Sequence, residues 1–355
     1  MPRSVLLVAI VGLVSGTVAH AQSLWTGGTA NYNDAANWFP PIGAPVGAGR
    51  SAVFDASGST TVNVTSGSIA PDSWTFNSGA QSYTLSGGAV NFSLAGPFGG
   101  VIDNANSGQT ISISNNIGES VAGVQVQLLG NSVLALQGTN TYSGGTIVSG
   151  FGTVQVTNSS SVGTGTVTLE NGQFQAGAAG LTFSNNFKIN NTPAGSAIDA
   201  NGVQLTISGN ISGTGQLTVL DSSFGLTGVV VLNGTDTYSG GTTICTCGTL
   251  QLGDATHTAS IVGAVTNEGL FIIANANTAG ITSITTDSGF TAFLGNNTAG
   301  TATLITKNSG ATIFDQNSSA GNANISNIGG SVTIFNDNST AGNATIDNNT
   351  AGTIF

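Results

Sequence analysis

The chain has 355 residues, of which 5% are charged, and its fifteen acidic and four basic residues give a formal net charge of −11. A protein with so few cations is repelled by nucleic acid and by anionic lipid, so the composition argues against both as partners. Because 39% of the residues are hydrophobic, the chain can bury a core and does not have the composition of a disordered protein.

The first 21 residues have the pattern of a secretory signal peptide. Arg3 precedes a run of fourteen small and apolar residues, Val5 to Val18, and Ala19-His20-Ala21 has the small-x-small pattern that signal peptidase cleaves. This predicts cleavage between Ala21 and Gln22 and export by a Sec-type route. As a helix the apolar run would span about 21 Å, short of the roughly 30 Å hydrocarbon core of a bilayer, so a membrane anchor is not favoured.

Residues 22–125 form the next region, which contains all three Trp residues and the segment Trp38-Phe-Pro-Pro41. It is less regular than the regions that follow, and we expect an N-terminal cap and the first coils of a solenoid, since an open solenoid end needs shielding. Alternating segments such as Thr61-Val-Asn-Val-Thr65 predict strands with one buried and one exposed face. No ten-residue window after the signal peptide has helical spacing.

The region 126–256 repeats itself. Leu136-Gln-Gly-Thr-Asn-Thr-Tyr-Ser-Gly-Gly-Thr146 returns 96 residues later as Leu232-Asn-Gly-Thr-Asp-Thr-Tyr-Ser-Gly-Gly-Thr242, and the two copies extend over 132–156 and 228–252. The Gly-Gly pair of each copy is expected to supply the positive φ angles of a tight corner. Such self-similarity predicts an all-β fold, a right-handed parallel β-helix (β-solenoid) with coils of about 20–25 residues.

The region 257–355 has a shorter and stricter period, which predicts a β-solenoid of 20–21-residue repeats. Phenylalanines fall at Phe293, Phe314, Phe335 and Phe355, and Ala-Gly pairs begin at Ala279, Ala299, Ala320 and Ala341. Like residues of successive coils stack at a strand separation of about 4.8 Å. The last unit, Thr350 to Phe355, stops within a strand, so we expect the solenoid to be truncated.

Two kinds of ladder are predicted for this third region. Phe314 and Phe335 should stack in the core, with Ile313 and Ile334 on the opposite face of their strands. Side-chain amides should form hydrogen-bonded ladders at the corners. The residues expected in these amide ladders are Asn322, Asn343, Asn348 and Asn349.

The two long copies resemble the passenger-associated repeat of bacterial autotransporters, in which Gly-x-Asn-Thr-Tyr-x-Gly-Gly-Thr-Thr precedes a Gly-Thr-Leu-x-Val strand. The matching residues are Thr139, Asn140, Thr141, Tyr142, Gly144 and Gly145 in the first copy and Thr235, Asp236, Thr237, Tyr238, Gly240 and Gly241 in the second. Asp236 departs from the pattern, because it replaces the Asn.

The resemblance implies a passenger β-helix that is exported to the surface of a Gram-negative bacterium. There it would act as a structural or adhesive protein that displays ladders of Thr, Ser and Asn. Its expected partners are carbohydrate, cell surfaces or other copies of itself. Such proteins usually end in an outer-membrane translocator barrel built from ten-residue alternating strands, which is expected but absent from this chain. Transport by its own barrel is therefore in doubt.

Few residues suggest chemistry, and we predict no catalytic, cofactor-binding or metal-binding residues. Cys245 and Cys247 are the only cysteines. Export permits a disulfide, yet residues i and i+2 of a strand lie about 6.5 Å apart, so a bridge would bend the strand. The pair is interpreted either as two ordinary structural positions or as a strained disulfide or metal-binding pair. His257 has Asp254 as its only close carboxylate and is interpreted as a surface corner residue.

The alternative function is that of a β-helix enzyme acting on polysaccharide. Such enzymes bring two or three acidic residues, or a basic residue, together on one face. The acidic residues considered for that role are scattered along the sequence, at Asp34, Asp55, Asp72, Asp103, Asp199 and Asp221. We therefore do not expect an enzyme.

Overall fold

The chain winds into a parallel β-solenoid of about 14 turns, which confirms the predicted fold class. The computed structural model describes residues 21–190, 195–223, 225 and 227–355. Ala19 and the rest of the predicted signal peptide before Ala21 lie outside the described residues, whereas Ala21 and Gln22 belong to the first strand. Within the described residues the only helical segment is one 3₁₀ turn, Ala35–Asn37.

The described residues contain thirty-four strands, which make up the solenoid. The first eleven are β1 Ala21–Trp25, β2 Trp38–Phe39, β3 Arg50–Phe54, β4 Thr61–Ile69, β5 Ser73–Phe76, β6 Tyr83–Phe92, β7 Gly96–Asp103, β8 Thr110–Ile113, β9 Ile117–Glu119, β10 Val124–Leu128 and β11 Val133–Leu136. The next eleven are β12 Thr146–Val148, β13 Thr153–Val156, β14 Val167–Leu169, β15 Gln173–Ala176, β16 Leu181–Phe183, β17 Phe187–Ile189, β18 Ser196–Asp199, β19 Gln204–Ile207, β20 Ile211–Gly213, β21 Leu217–Leu220 and β22 Val229–Leu232. The last twelve are β23 Thr242–Ile244, β24 Thr249–Leu252, β25 Gly263–Asn267, β26 Leu270–Ile273, β27 Ile281–Asp287, β28 Phe290–Phe293, β29 Thr303–Lys307, β30 Ala311–Phe314, β31 Asn324–Ile328, β32 Val332–Phe335, β33 Thr345–Asn349 and β34 Gly352–Ile354.

These strands form three sheets that run along the rod. Sheet 1 has ten strands, from β2 and β1 to β20; sheet 2 has fifteen, from β4 to β33; and sheet 3 has nine, from β16 to β34. The N-terminal coils use sheets 1 and 2, the coils from β14 to β22 use all three, and the coils from β23 onward use sheets 2 and 3. Only sheet 2 therefore extends along nearly the whole solenoid.

The N-terminal region packs around a cluster of aromatic rings. Strand β1 pairs antiparallel with β2 and parallel with β3, so β2 lies at the end of sheet 1. The rings of Trp25 and Trp38 lie 5.0 Å apart and those of Tyr32 and Trp38 lie 4.8 Å apart, both edge-on, as aromatic pairs prefer. Each of these three rings is buried. The cluster fills the interior beneath the first coils.

The predicted phenylalanine ladder is confirmed. The ring centroids of Phe293 and Phe314 lie 4.7 Å apart and those of Phe314 and Phe335 lie 4.9 Å apart, with the rings nearly parallel. These spacings equal the distance between hydrogen-bonded strands, because each ring sits above its counterpart in register. Ile313 and Ile334 are also in register and point to the opposite face.

The amide ladders are only partly as predicted. Asn343 donates to Asn322 at 3.3 Å on the surface, as expected. Asn348, however, accepts a hydrogen bond from Asn327 at 2.8 Å, and Asn327 lies inside the coil. The prediction was wrong for Asn349, which is in register with Ile328 and so has no amide beneath it.

Asn327 belongs to a polar seam inside the corner between sheets 2 and 3. Across this corner the Oγ1 atoms of Thr286 and Thr291 are hydrogen-bonded at 2.7 Å, and those of Thr306 and Thr312 at 2.8 Å. One coil further on, Thr333 donates to Asn327 at 2.8 Å. All of these side chains are buried. Buried polar groups are stable only when they are hydrogen-bonded, and stacking gives each coil an equivalent pair, either Thr with Thr or Thr with Asn.

Phe314→Ala should destabilise the C-terminal coils by about 3–5 kcal/mol, because the substitution removes a ring held between two others. Phe290→Ala is the matched control, since Phe290 is 51% exposed whereas Phe314 is fully buried. In a solenoid the damage should reach only neighbouring coils. Chemical unfolding and limited proteolysis measure both effects, and equal unfolding midpoints for the two variants would contradict the ladder's role.

Candidate functional site

The two motif copies lie on different sides of the rod. The first connects β11 of sheet 2 to β12 of sheet 1, whereas the second connects β22 of sheet 3 to β23 of sheet 2. Register explains the difference. Four coils above Ala135 lies Leu220, 85 residues later, whereas the counterpart of Ala135 in the second copy is Val231, 96 residues later. The sequence interval is therefore longer than four coils, and the second copy falls on another face.

The motif tyrosines anchor each corner in the core. Tyr142 and Tyr238 are fully buried, and their hydroxyls lie 2.6 Å from the Oγ1 atoms of Thr146 and Thr242. Burial raises the pKa of both phenols well above the usual value for tyrosine. They therefore stay neutral and serve as hydrogen-bonding core residues.

The motif glycines do two different things, which corrects the prediction that both adopt positive φ. Gly145 and Gly241 have φ angles of 93° and 81°, in the region that favours glycine. Gly144 and Gly240 do not. A Cβ atom on either of them would instead collide with the backbone of the coil below, at Gly123 and Gly215 respectively. One glycine of each pair thus allows the turn and the other allows close stacking.

Within Thr-Asn-Thr and Thr-Asp-Thr, the middle side chain points inward and both threonines point outward. Asn140 is buried and uses both ends of its amide. Its Oδ1 accepts from the Ile117 N–H at 2.8 Å, and its Nδ2 donates to the Ser161 carbonyl at 2.5 Å. The amide therefore ties its own coil to the coils on both sides.

Asp236 occupies the same place with a carboxyl group. Its Oδ1 accepts from the Ile211 N–H at 2.6 Å, but Oδ2 is buried and has no hydrogen-bond partner among the described residues. Burial, opposed by the Ile211 hydrogen bond, raises the pKa of Asp236 to about 7. An ionised carboxylate cannot donate, so it cannot replace the bond that Asn140 makes through Nδ2.

The acidic residues considered for catalysis form hydrogen bonds within loops and corners. Each carboxylate accepts a hydrogen bond from a backbone N–H. The donors are Ala36 for Asp34, Ala56 for Asp55, Gly49 for Asp72, Ala105 for Asp103, Asn201 for Asp199 and Gly202 for Asp221. Burial also raises the pKa of Asp103 to about 6, although Ala105 and Ser132 donate to it.

His257 does contact Asp254, as its sequence position suggested. Its Nδ1 lies 2.9 Å from Asp254 Oδ1 and also 2.9 Å from Thr256 Oγ1. A catalytic relay needs the acid on one ring nitrogen and the nucleophile on the other, whereas here both neighbours share Nδ1. Hydrogen bonds, chiefly from the Thr256 N–H, hold the pKa of Asp254 well below its usual range. The group is a local turn on the surface.

Cys245 and Cys247 form a disulfide. The expectation that a bridge would have to bend a strand was wrong, because both residues lie in the corner between β23 and β24 and not within a strand. The turn shortens their Cα–Cα distance to 5.3 Å, within the usual range for disulfides. The bridge closes a corner that in the first copy holds Ser149 and Phe151.

A groove that the sequence did not predict lies beside the second motif copy. It has a volume of about 500 Å³, is open to solvent, and is lined by Thr166, Asn186, Phe187, Lys188, Asn210, Ser212, Thr235 and Thr237. Register explains the assembly, because Lys188 of β17 lies between Thr168 of β14 and Ser212 of β20. The only sequence signal was that Lys188 is one of three cations after the predicted cleavage site.

Comparison with models of known families, with curated proteins and with solved structures found no match to this chain. Within the described part of the chain, no group of three or more His, Cys, Asp or Glu side chains is placed to hold a metal ion. No helix among the described residues is long and apolar enough to cross a membrane. The candidate site therefore consists of the motif corners and the groove around Lys188.

Asp236→Asn should stabilise the protein at alkaline pH. In the folded chain the pKa of Asp236 is about 7, above the usual value of 3.8. Between these two pH values the folded chain therefore keeps a proton on Asp236 that the unfolded chain has lost. The stability due to this proton falls as pH rises from about 4 to about 7, by at most about 1.4 kcal/mol per pH unit. The free energy of unfolding of the variant should exceed that of the parent by roughly 2–4 kcal/mol at about pH 8, and by less at about pH 5.

Asn140→Asp is the reciprocal variant, and it should acquire the pH-dependent loss that Asp236→Asn removes. Urea unfolding of both variants and the parent at the two pH values separates this effect from that of Asp103, which all three share. If the parent and Asp236→Asn lose stability equally between the two pH values, Asp236 does not hold the proton.

Proposed function

We propose that this chain is the passenger-type part of an exported surface protein and that it acts as a rigid adhesive rod. The observation that carries the proposal is the uninterrupted parallel stacking of about 14 coils. A solenoid of this kind has a core that is continuous along its length, so the rod is stiff and its surface is long. The continuous buried core from Trp25 to Phe335 supports this interpretation.

The outward side chains favour binding through a repeated surface. Several solvent-facing strand positions carry Thr, Gln and Ser in rows, as at Gln155 and Gln175, whose amides are joined at 2.7 Å. The outward row of sheet 3 is instead mostly apolar, as at Ile313 and Ile334. Rows of uncharged donors and acceptors suit the hydroxyl groups of carbohydrates and the polar surfaces of cells. The resemblance of the two motif copies to autotransporter repeats leads to the same proposal.

Deleting residues 321–341 should weaken adhesion without abolishing the fold. The deletion removes one coil and joins Ala320 to Gly342, which restores the Ala-Gly pair of the corner. Binding through a repeated surface should fall in proportion to the lost area and valency, whereas loss of one carboxylate should have little effect. Adhesion of the full chain to cells and glycan surfaces measures this, with circular dichroism to confirm that the shortened rod is folded.

Two single variants test the enzymatic alternative in the same assays. Asp55→Asn removes the carboxylate that lines an open depression of about 650 Å³ with Asn77 and Asn104. Asp254→Asn removes the carboxylate beside His257. A catalytic acid contributes roughly 10²–10⁴-fold to rate. Cleavage of plant or bacterial polysaccharides that either change abolishes would contradict the adhesive rod.

A further inference from the structure

We propose that the groove around Lys188 is a binding site for a carboxylate-bearing sugar unit of an acidic polysaccharide. The proposal rests on the adhesive function proposed above and names the ligand class and the place where it binds. Three features of the groove carry it: a cation without a protein partner, a lining of neutral donors, and a position in register with a motif corner.

Lys188 differs from the other two cations of the described chain. Arg50 donates to the carbonyls of Gly43 and Ile42 at 2.7 and 3.2 Å. Lys307 lies 3.0 Å from the carboxylate of Asp287. Lys188 is exposed on β17 and has neither an ion pair nor a side-chain hydrogen bond with any described residue. Its ammonium group is therefore available to an external anion.

The lining of the groove offers hydrogen-bond donors around that cation. The Oδ1 atoms of Asn186 and Asn210 already accept from the backbone N–H groups of the next coil, at 3.1 and 2.9 Å. Their NH₂ groups make no hydrogen bond with the described residues and remain free to donate. Within the part of the chain that the structure describes, no Asp or Glu side chain lines the groove. A carboxylate that enters it therefore meets one positive charge and several neutral donors without local repulsion.

The motif itself supplies the upper edge of the groove. Thr235 and Thr237 both line it, while Asp236 between them points into the core. The hydroxyls of Thr166 and Ser212 lie on the coils below, so polar groups line the groove over several rungs spaced by about 4.8 Å. A polymer with one carboxylate and several hydroxyl groups per unit matches such a lining.

The charge balance favours a sugar acid over a polyphosphate or a nucleic acid. Nucleic-acid binding depends on many cations that neutralise successive phosphates, and this groove has one. The net charge of −11 repels every polyanion at long range, a polymer of sugar acids included. At physiological salt that repulsion is screened beyond about 8 Å, so a single carboxylate in contact with Lys188 can still bind.

Binding of the purified full chain to immobilised polygalacturonate tests the proposal, with fully methyl-esterified polygalacturonate as the neutral counterpart. We expect the parent to prefer the acidic polymer, with affinity that falls as salt rises above about 0.15 M, where the long-range repulsion is already screened and the contact with Lys188 is weakened. Lys188→Met should weaken binding about tenfold or more, because a charge-assisted contact is lost. Lys188→Arg should retain most of the affinity.

Lys307→Met is the charge-matched control, since it removes one cation at a place already paired with Asp287 and should leave binding unchanged. Equal loss in Lys188→Met and Lys307→Met would show that only net charge matters and would overturn the proposal. Equal binding of the acidic and esterified polymers would also overturn it. If neither polymer binds while the chain still adheres to cells or to itself, the groove proposal fails and the adhesive rod stands.

Discussion

Parallel backbone hydrogen bonding between successive coils is the constraint on which the rest of this structure depends. Every strand must find its partners in the coil below and the coil above, since unpaired backbone groups are costly once buried. In-register pairing places side chains of equal height directly over one another. The stacked phenylalanines, the buried Thr pairs and the surface amides all follow from this constraint. A residue is therefore tolerated when the same residue, or a suitable partner, lies one coil away.

The buried polar positions show how strict that condition is. Asn140 satisfies it because one amide can both accept from the coil below and donate to the coil above. Asp236 satisfies only half of it, since its second oxygen has no partner. The interior seam at Thr286, Thr306 and Asn327 meets the condition by pairing across the corner within each coil. Buried polar side chains are thus compatible with a stable solenoid when each coil provides them with hydrogen-bond partners.

The sequence predicted features that depend on period and missed features that depend on register. The 20–21-residue spacing of Phe314 and Phe335 was enough to place both rings in one stack, because a strict period maps directly onto coils. The same 21-residue interval already puts Asn349 over Ile328, so the prediction for Asn349 was wrong because the residue was grouped with its neighbour Asn348 by type and not by period. The Lys188 groove was missed because its lining comes from four coils that no local pattern connects. The cysteine pair was wrongly expected within a strand because β23 ends at Ile244, only one residue before Cys245, and the alternating sequence does not mark that end.

The shift of the second motif copy to another face determines which kinds of surface can contact both copies at once. Thr139 and Thr141 point away from one side of the solenoid, whereas Thr235 and Thr237 point away from another. A flat substratum lying against the rod can touch only one of these threonine pairs at a time. A flexible polymer that winds around the rod can reach both. For the proposed adhesive rod, the two nearly identical copies would therefore be separate contacts on a flat target and successive contacts on a polymer that winds around the rod.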